Sequence, residues 1–205
     1  FFLASNIFRS YSDKQFSYSQ GTAQTNLFGD SFNTSNLLDR TEVTDLYNQI
    51  RLNYSNNIIG DVQLNASNNR YNYGYNKLVI LDGETIINRL KGDIYAVGAK
   101  YHKRYKGFEL NGDIGVNVSG DFEGNYIKAD ASFKINDDIS AKGSINHSSK
   151  APNYNTLLYQ SNYIEYNWQN KFNNEETQRI AFEIESKKIA KVTVDYSTID
   201  NYVYF

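Results

Sequence analysis

The sequence predicts an all-β protein, an antiparallel, up-and-down transmembrane β-barrel. Apolar and polar residues alternate over several successive segments, most clearly between Phe108 and His147, and a period of two residues is typical of a strand with two different faces. The connections between these segments alternate between tight turns and long loops. The charged residues fall on one parity of the segments. Together these observations favour a sheet with lipid on one face and water on the other.

The composition does not suit an ordinary soluble domain. The 205 residues include eighteen Tyr and twelve Phe, one Pro, and no Cys or Met, and the mean hydropathy is −0.62. Large aliphatic residues are few for a compact core, and no apolar run approaches the length of a spanning helix. A barrel needs lipid-facing residues only at alternate positions, so its mean hydropathy is low. The formal net charge of −2 lacks the basic footprint of a nucleic-acid partner.

The N-terminal part of the chain has the weakest pattern. Residues Phe2 to Gln20 predict one or two strands with a break near Ser10–Asp13, and residues 20 to 42 predict a long polar loop with a helical turn at Ser35–Arg40. From Asp45 onward the alternation is regular. The apolar positions of the predicted strands are Leu46, Ile50, Leu52 and Tyr54; Val62, Leu64 and Ala66; Tyr95, Val97, Ala99 and Tyr101; Phe108, Leu110, Ile114, Val116 and Val118; Ile127, Ala129, Ala131, Phe133 and Ile135; Ile139, Ala141, Gly143 and Ile145; Ile180, Phe182 and Ile184; and Val192, Val194 and Tyr196.

The connections sort by length. Those near residues 57, 106, 137 and 188 are tight, whereas 20–42, 73–91 and 148–176 are long, and 120–124 is a shorter member of the long set. The second long connection predicts its own hairpin around Leu81–Glu84. Short turns at one end and long loops at the other are typical of outer-membrane barrels. A soluble β-sandwich also has alternating strands, but it is not expected to sort its loops in this way.

The polar parity predicts the lining of a lumen, because charged side chains on the lipid face cost several kcal/mol near the midplane. The predicted lumen-lining residues are Arg51, Asp61, Glu109, Asp113, Lys128, Asp130, Lys134, Lys142, Glu183, Glu185, Lys191 and Asp195. Tyr71, Tyr73 and Tyr75 fall on the same parity, beyond the predicted end of their strand.

The strand count predicts an incomplete barrel. About nine strands are present, and the last of them, 190–204, runs toward the long-loop end. A sheet with two free edges leaves backbone groups unpaired in lipid at a cost of several kcal/mol each. Residues 1–205 are therefore expected to form a single section of a larger barrel, with no plug or soluble domain. Its open edges would pair with further strands or with an outer-membrane assembly or secretion complex.

Residues for catalysis or metal binding are sparse. His102 and His147 fall at the ends of different strands, and Glu183 and Glu185 share a face with Arg179 and Lys187, which predicts a lumen charge cluster rather than an acid–base pair. The acidic turns Asp121–Glu123 and 136–138 have ordinary turn chemistry. No nucleophile motif or phosphate-binding loop occurs. We expect no enzyme activity, no cofactor and no metal.

One dense aromatic region lies in the longest connection, between Asn153 and Phe172. Its rings are Tyr154, Tyr159, Tyr163, Tyr166 and Trp168. Such rings could stack on a sugar or contact a partner protein. We favour the simpler interpretation, an ordered surface loop that packs its own aromatic residues.

This region also carries a family resemblance. The run KAPNYNTLLYQSNY at 150–163, followed by Tyr166–Trp168 and by Asp200–Tyr204, resembles the putative porin family of the Bacteroidota outer membrane. The Ala-Pro and the following Leu-Tyr are more loosely similar to a loop of TonB-dependent transporter barrels. The resemblance is specific over 150–205. It implies a larger closed barrel and passive solute passage without a cofactor.

The leading hypothesis is therefore a porin-like channel of the bacterial outer membrane, in contact with the lipid bilayer, through which small hydrophilic solutes diffuse. Three alternatives stay open. The chain could be the barrel section of a TonB-dependent transporter, a scaffold whose lumen is blocked by side chains, or an incomplete barrel held as a client or subunit by an assembly or secretion machine.

Overall fold

A computed structural model describes residues 2–81 and 83–204, and these fold almost entirely into antiparallel β-structure. The described elements are β1 (Phe2–Thr22), α1 (Thr25–Phe28), β2 (Ser35–Asn56), β3 (Gly60–Tyr75), β4 (Val79–Leu81), β5 (Glu84–Ile86), β6 (Arg89–Tyr105), β7 (Phe108–Gly120), β8 (Gly124–Lys134), β9 (Ile139–Lys150), α2 (Tyr154–Leu157), β10 (Leu158–Tyr159), β11 (Trp168–Gln169), β12 (Glu175–Ser186) and β13 (Lys191–Asp200). Nine of these strands form one sheet in the order β1-β2-β3-β6-β7-β8-β9-β12-β13.

The sheet is open, because β1 and β13 lie at its two edges and do not pair with each other within the described residues. Strands that are neighbours in the sheet follow one another along the chain, apart from two small hairpins, β4–β5 and β10–β11, which lie inside long connections. The predicted up-and-down antiparallel topology, the count of nine strands and the unclosed barrel section are therefore confirmed.

One face of the sheet carries exposed apolar side chains in cross-strand register. Ile114 on β7 is opposite Ile127 on β8, and Ile145 on β9 is opposite Ile180 on β12. All four side chains are exposed, as are Val97 on β6 and Tyr196 on β13, which lie on the same face. A soluble protein would cover such a continuous apolar band. Transmembrane barrels carry an apolar band of this kind on their outward face.

The strands on the N-terminal side are longer than the alternation predicts. β1 is continuous across Ser10–Asp13, where a break was predicted, because each of its residues there is paired with β2. The helical turn predicted at Ser35–Arg40 is wrong, since β2 begins at Ser35 and the one helical turn of this connection is α1. Backbone pairing extends these strands through segments that mix polar and apolar residues on both faces, as in residues 37–44. Such segments carry no alternation for a sequence pattern to detect.

The extra length lies at the long-loop end of the sheet. β3 continues through the tyrosines to Tyr75, and β2 is 22 residues long, which corresponds to about 70 Å at ~3.3 Å per residue. A bilayer core is only about 30 Å thick. One side of the sheet is therefore longer than a bilayer core is thick. The strands β7, β8, β9, β12 and β13 are 10 to 13 residues long, close to the roughly 9–11 residues that a tilted transmembrane strand needs.

The second long connection contains the hairpin predicted around Leu81–Glu84. It forms as β4 and β5, with Leu81 opposite Glu84, and Asp82 lies outside the described residues. No helix among the described residues has both the length and the apolar character needed to cross a membrane.

Candidate channel lining and crossing loop

The polar face of the sheet carries ion pairs between neighbouring strands. Lys100 Nζ lies 3.1 Å from Asp113 Oδ2, and Lys142 Nζ lies 3.4 Å from Asp130 Oδ2. Farther along the sheet, Lys191 Nζ lies 2.8 Å from Glu183 Oε1. These side chains are about half exposed on the lysine side, so the pairs contribute little to stability. Their effect is to line one face with alternating positive and negative charges.

The strand register places all the predicted lumen-lining residues on the face opposite the apolar band. These are Arg51, Asp61, Glu109, Asp113, Lys128, Asp130, Lys134, Lys142, Glu183, Glu185, Lys191 and Asp195. Lys134 and Glu185 lie at the tight-turn end, where each is opposite Ser140. Arg51 donates to Gln49 Oε1 at 2.5 Å.

The two histidines lie on opposite faces of the sheet. His102 is on the polar face, with Nδ1 2.7 Å from Asn111 Oδ1, whereas His147 is opposite the apolar-face residue Ile127. They cannot bind one metal ion together. Among the described residues, no three His, Asp or Glu side chains come close enough to hold a metal.

The longest connection does not extend away from the sheet. Residues 151–174, which we call the crossing loop, leave β9, pass over the polar face and return to β12. At the far point Tyr163 donates its hydroxyl to Gln20 Oε1 on β1, at 2.8 Å. Five strands separate β9 from β1 in the sheet. The crossing loop therefore spans most of the width of the sheet at its long-loop end.

Stacked aromatic rings hold the crossing loop to β3. The Tyr154 ring lies 5.3 Å from that of Tyr71 and 5.4 Å from that of Tyr73, nearly parallel to both. Phe122, from the β7–β8 turn, packs on Tyr71 at 5.3 Å. Burial in this cluster, reinforced by the charge of Asp45, raises the pKa of Tyr154 to about 12. The phenol is therefore neutral at physiological pH, as its packing requires.

The small apolar core of the described residues lies beneath this stack. Leu158 is fully buried against Tyr73 and Tyr75, and Tyr73 donates its hydroxyl to the Leu158 carbonyl at 3.1 Å. Burial also raises the pKa of Tyr159. The best-packed part of the molecule is thus the contact between the crossing loop and the polar face.

A carboxylate joins three separate segments at this contact. Asp39 on β2 accepts hydrogen bonds from Lys77 Nζ at 3.1 Å, from Ser161 Oγ at 2.9 Å and from Asn162 Nδ2 at 2.7 Å. Its side chain is only 14% exposed. We call Asp39, Lys77, Ser161 and Asn162 the Asp39 latch. The latch ties the crossing loop to the wall and to the connection that follows β3.

The other two long connections also contact the crossing loop. Gln160 donates to the Ile87 carbonyl at 3.0 Å, and the Ile164 amide donates to the Asp30 carbonyl at 2.9 Å. All three long connections therefore pack together at one end of the sheet.

The structure differs here from the predicted surface loop that packs its own aromatic residues. Tyr159 and Trp168 do stack within the loop, at 4.7 Å. Tyr154, however, packs on tyrosines of β3, and Tyr163 is buried with its ring 5.1 Å from Phe28 of the first connection. Tyr166 stays partly exposed beside the same Phe28. The signal that indicates this arrangement is the trio Tyr71, Tyr73 and Tyr75 on the polar parity, because three large rings there need a cover.

Nearly the whole chain matches a known protein family. The model of the family described as putative porin matches residues 6–205. The chain belongs to this porin family. The match extends the resemblance that the sequence shows over 150–205 to nearly the whole chain, including β1 and the edge of the sheet. No curated protein and no solved structure matches the chain.

In this porin-family chain a cleft of about 770 Å³ lies between the crossing loop and the polar face of the central strands. Tyr154 and Phe122 border it on the loop side, and Tyr126, Asn65 and Asn146 border it on the strand side. A second depression, near the tight-turn end, is lined by Gln63, Lys100 and His102 among others.

Proposed function

We propose that this chain forms part of the wall of an outer-membrane channel through which small hydrophilic solutes diffuse passively. The proposal is carried by one observation, the two-faced open sheet of a porin-family chain. An exposed apolar band covers one face and paired charges cover the other. Lipid suits the first face and water the second.

The parity of the charged residues decides in which surroundings the sheet is stable. A lysine or arginine at the bilayer midplane costs about 2–4 kcal/mol. In the central strands the ion-paired side chains, such as Lys142 and Asp130, lie on the other face of the sheet from the apolar band. Exposed valines and isoleucines cost free energy in water and are stabilised in hydrocarbon. The same sheet is therefore best accommodated between lipid and an aqueous lumen.

The lining supports a weakly selective pore. Because positive and negative side chains are interleaved, neither cations nor anions meet a field of one sign. The crossing loop obstructs the long-loop end, so it would limit the size of the solutes that pass. The proposal includes no catalytic step and no cofactor.

Reconstitution of the full-length protein into planar lipid bilayers tests this function. We expect discrete conductance steps that are linear with voltage, and a reversal potential near zero in a KCl gradient. Membrane fractionation of the native host should place the protein in the outer membrane. The complete absence of conductance steps, from protein shown to be folded by its resistance to protease, would refute the proposal.

The open edges favour a second candidate, in which an outer-membrane assembly or secretion complex holds this section along β1 or β13. Unpaired backbone groups in lipid cost several kcal/mol each, so both edges need a partner strand. Size-exclusion chromatography of the native protein in detergent separates the two cases. A channel elutes alone or as a homo-oligomer, whereas a client elutes with a second protein.

A further inference from the structure

The cleft beneath the crossing loop has the size and the chemistry of a ligand site. Its volume of about 770 Å³ lies within the range of about 300–1,000 Å³ that is typical of small-molecule pockets. It opens onto the polar face, so a solute that crosses this face reaches it. Carboxamide and hydroxyl side chains dominate its polar lining. They include Gln49, Asn65, Ser67, Asn117, Asn146 and Ser148.

Several of these groups have hydrogen-bonding capacity to spare. Asn65 accepts only a long bond of 3.4 Å from Gln49. Over the described residues, the Asn146 carboxamide and the Ser148 hydroxyl donate to and accept from no other side chain. Each carboxamide offers an N–H donor and an acceptor oxygen side by side. That pairing matches two adjacent hydroxyl groups of a sugar, which also donate and accept.

Aromatic rings border the cleft on two sides. Tyr126 lies across Gly115, where a Cβ atom would come within 2.4 Å of the tyrosine ring. The absence of a side chain at Gly115 thus lets the ring lie against the strands. Tyr154 and Phe122 border the opposite side. Flat aromatic faces beside polar side chains suit the C–H face of a pyranose ring and leave its hydroxyl groups to the amides.

The formal charges that line the cleft cancel, because they come from two carboxylates, Asp113 and Glu123, and two lysines, Lys128 and Lys150. Asp113 pairs with Lys100 and accepts a hydrogen bond from the Tyr126 hydroxyl at 2.9 Å. Lys128 Nζ lies 5.7 Å from the centre of the Tyr126 ring. No excess of either sign is left to attract an ion. A neutral ligand with many hydroxyl groups uses the free carboxamides without having to displace these pairs.

We propose that the cleft between the crossing loop and strands β2, β3 and β6–β9 is a binding site for short neutral saccharides, which makes their passage saturable. This inference rests on the proposed channel function for its transport consequence, but binding itself does not. Tyr126 and Tyr154 supply the stacking surfaces, and Asn65 and Asn146 supply paired hydrogen bonds.

Two measurements on the full-length protein separate the site from the channel. Isothermal titration calorimetry in detergent, with maltotetraose and with cellotetraose, measures binding without any need for conductance. Planar-bilayer recording then measures the reduction of current as either sugar is added. Polyethylene glycol of equal hydrodynamic radius serves as the control, because it fills a pore but offers no hydroxyl pairs.

The variants Asn146→Ala and Tyr126→Ala are compared with Ser144→Ala. Ser144 lies on the same strand and the same face as Asn146, two residues nearer the tight turn, and does not border the cleft. Asn146→Ala removes one neutral hydrogen bond and should raise the sugar concentration at half-saturation about threefold to tenfold. Tyr126→Ala should raise this concentration by a comparable or larger factor. Ser144→Ala should bind like the wild type.

We expect saturable binding of at least one sugar, a saturable current block that the polymer does not reproduce, and weakening only in the two cleft variants. The absence of calorimetric binding for both sugars would overturn the inference even where conductance is normal. So would equal binding by wild type, Asn146→Ala and Tyr126→Ala. Saturable binding without any conductance would instead uphold the site and refute the channel.

Discussion

The Asp39 latch predicts that one mostly buried carboxylate controls how often the crossing loop leaves the polar face. Asp39→Asn keeps the size of the side chain but removes its charge. Three donors, from Lys77, Ser161 and Asn162, then face a carboxamide with a single acceptor oxygen. Ser161 and Asn162 are each only 5% exposed, so water cannot readily replace the lost bonds.

The magnitude follows from the partners that stay. A hydrogen bond to a charged group contributes about 1.5–3 kcal/mol. Lys77 is partly exposed and can be rehydrated, and Asn162 keeps its bond to the Leu38 carbonyl at 3.0 Å. We therefore expect loop closure to weaken by about 2–4 kcal/mol in total, not by the sum of three full bonds. This corresponds to an open population roughly 30-fold to 800-fold larger.

Cysteine labelling measures this population directly, because the chain contains no cysteine of its own. Thr156, in the buried first turn of the crossing loop, is only 6% exposed. A Thr156→Cys protein in detergent should react slowly with a maleimide, and adding Asp39→Asn should accelerate the reaction by up to the factor above when reclosing is fast. The mean conductance should rise in parallel.

The matched control is Asp138→Asn. Asp138 also pairs with a lysine, Lys188 at 2.5 Å, but this pair lies at a tight turn with both side chains largely exposed. Exposed pairs of this kind contribute little, so labelling of Thr156→Cys should not change. If Asp39→Asn labels no faster than Asp138→Asn, the latch does not hold the loop and the reasoning fails.

Three further predictions test the faces and the loop. Ile145→Lys, on the apolar band, should lower the free energy of unfolding in lipid vesicles by about 2–4 kcal/mol, as measured by urea titration. Ser144→Lys, on the other face, should not lower it, and equal effects of the two variants would contradict the assignment of the faces. Lys142→Glu places a third carboxylate between Asp130 and Glu183. The reversal potential in a KCl gradient should therefore shift toward cation preference, and an unchanged potential would show that this face does not line the lumen. Burial raises the pKa of Tyr154 to about 12, so its contribution to loop closure is complete below pH 10 and is lost as the pH rises toward 12. The labelling rate of Thr156→Cys should therefore rise between pH 10 and pH 12, after correction for the pH dependence of the maleimide reaction measured on an exposed thiol. The rise should be smaller when Tyr154→Phe is added, because phenylalanine cannot ionise.

The sequence alone determined the two faces of the sheet and the order of its strands. Alternation is a local property, since successive side chains on a strand point to opposite sides whatever the strand pairs with. The parity of Ile145 and Lys142 could therefore be predicted from neighbouring residues. Tight turns such as Lys106–Gly107 are equally local. Together they were sufficient to predict a nine-stranded, up-and-down, unclosed section.

Only the tertiary structure decided where the longest connection goes. The bonds that place it join residues far apart in the chain, such as Tyr163 with Gln20 and Ser161 with Asp39. No periodicity links such positions. The entropic cost of closing a loop also grows only slowly with its length, so the length of this connection does not predict where it packs. The cleft and its free carboxamides exist only because the crossing loop covers the polar face, so neither could be derived from strand pattern. The tyrosines of β3 were visible in the sequence, but only packing shows that they serve as the loop's seat.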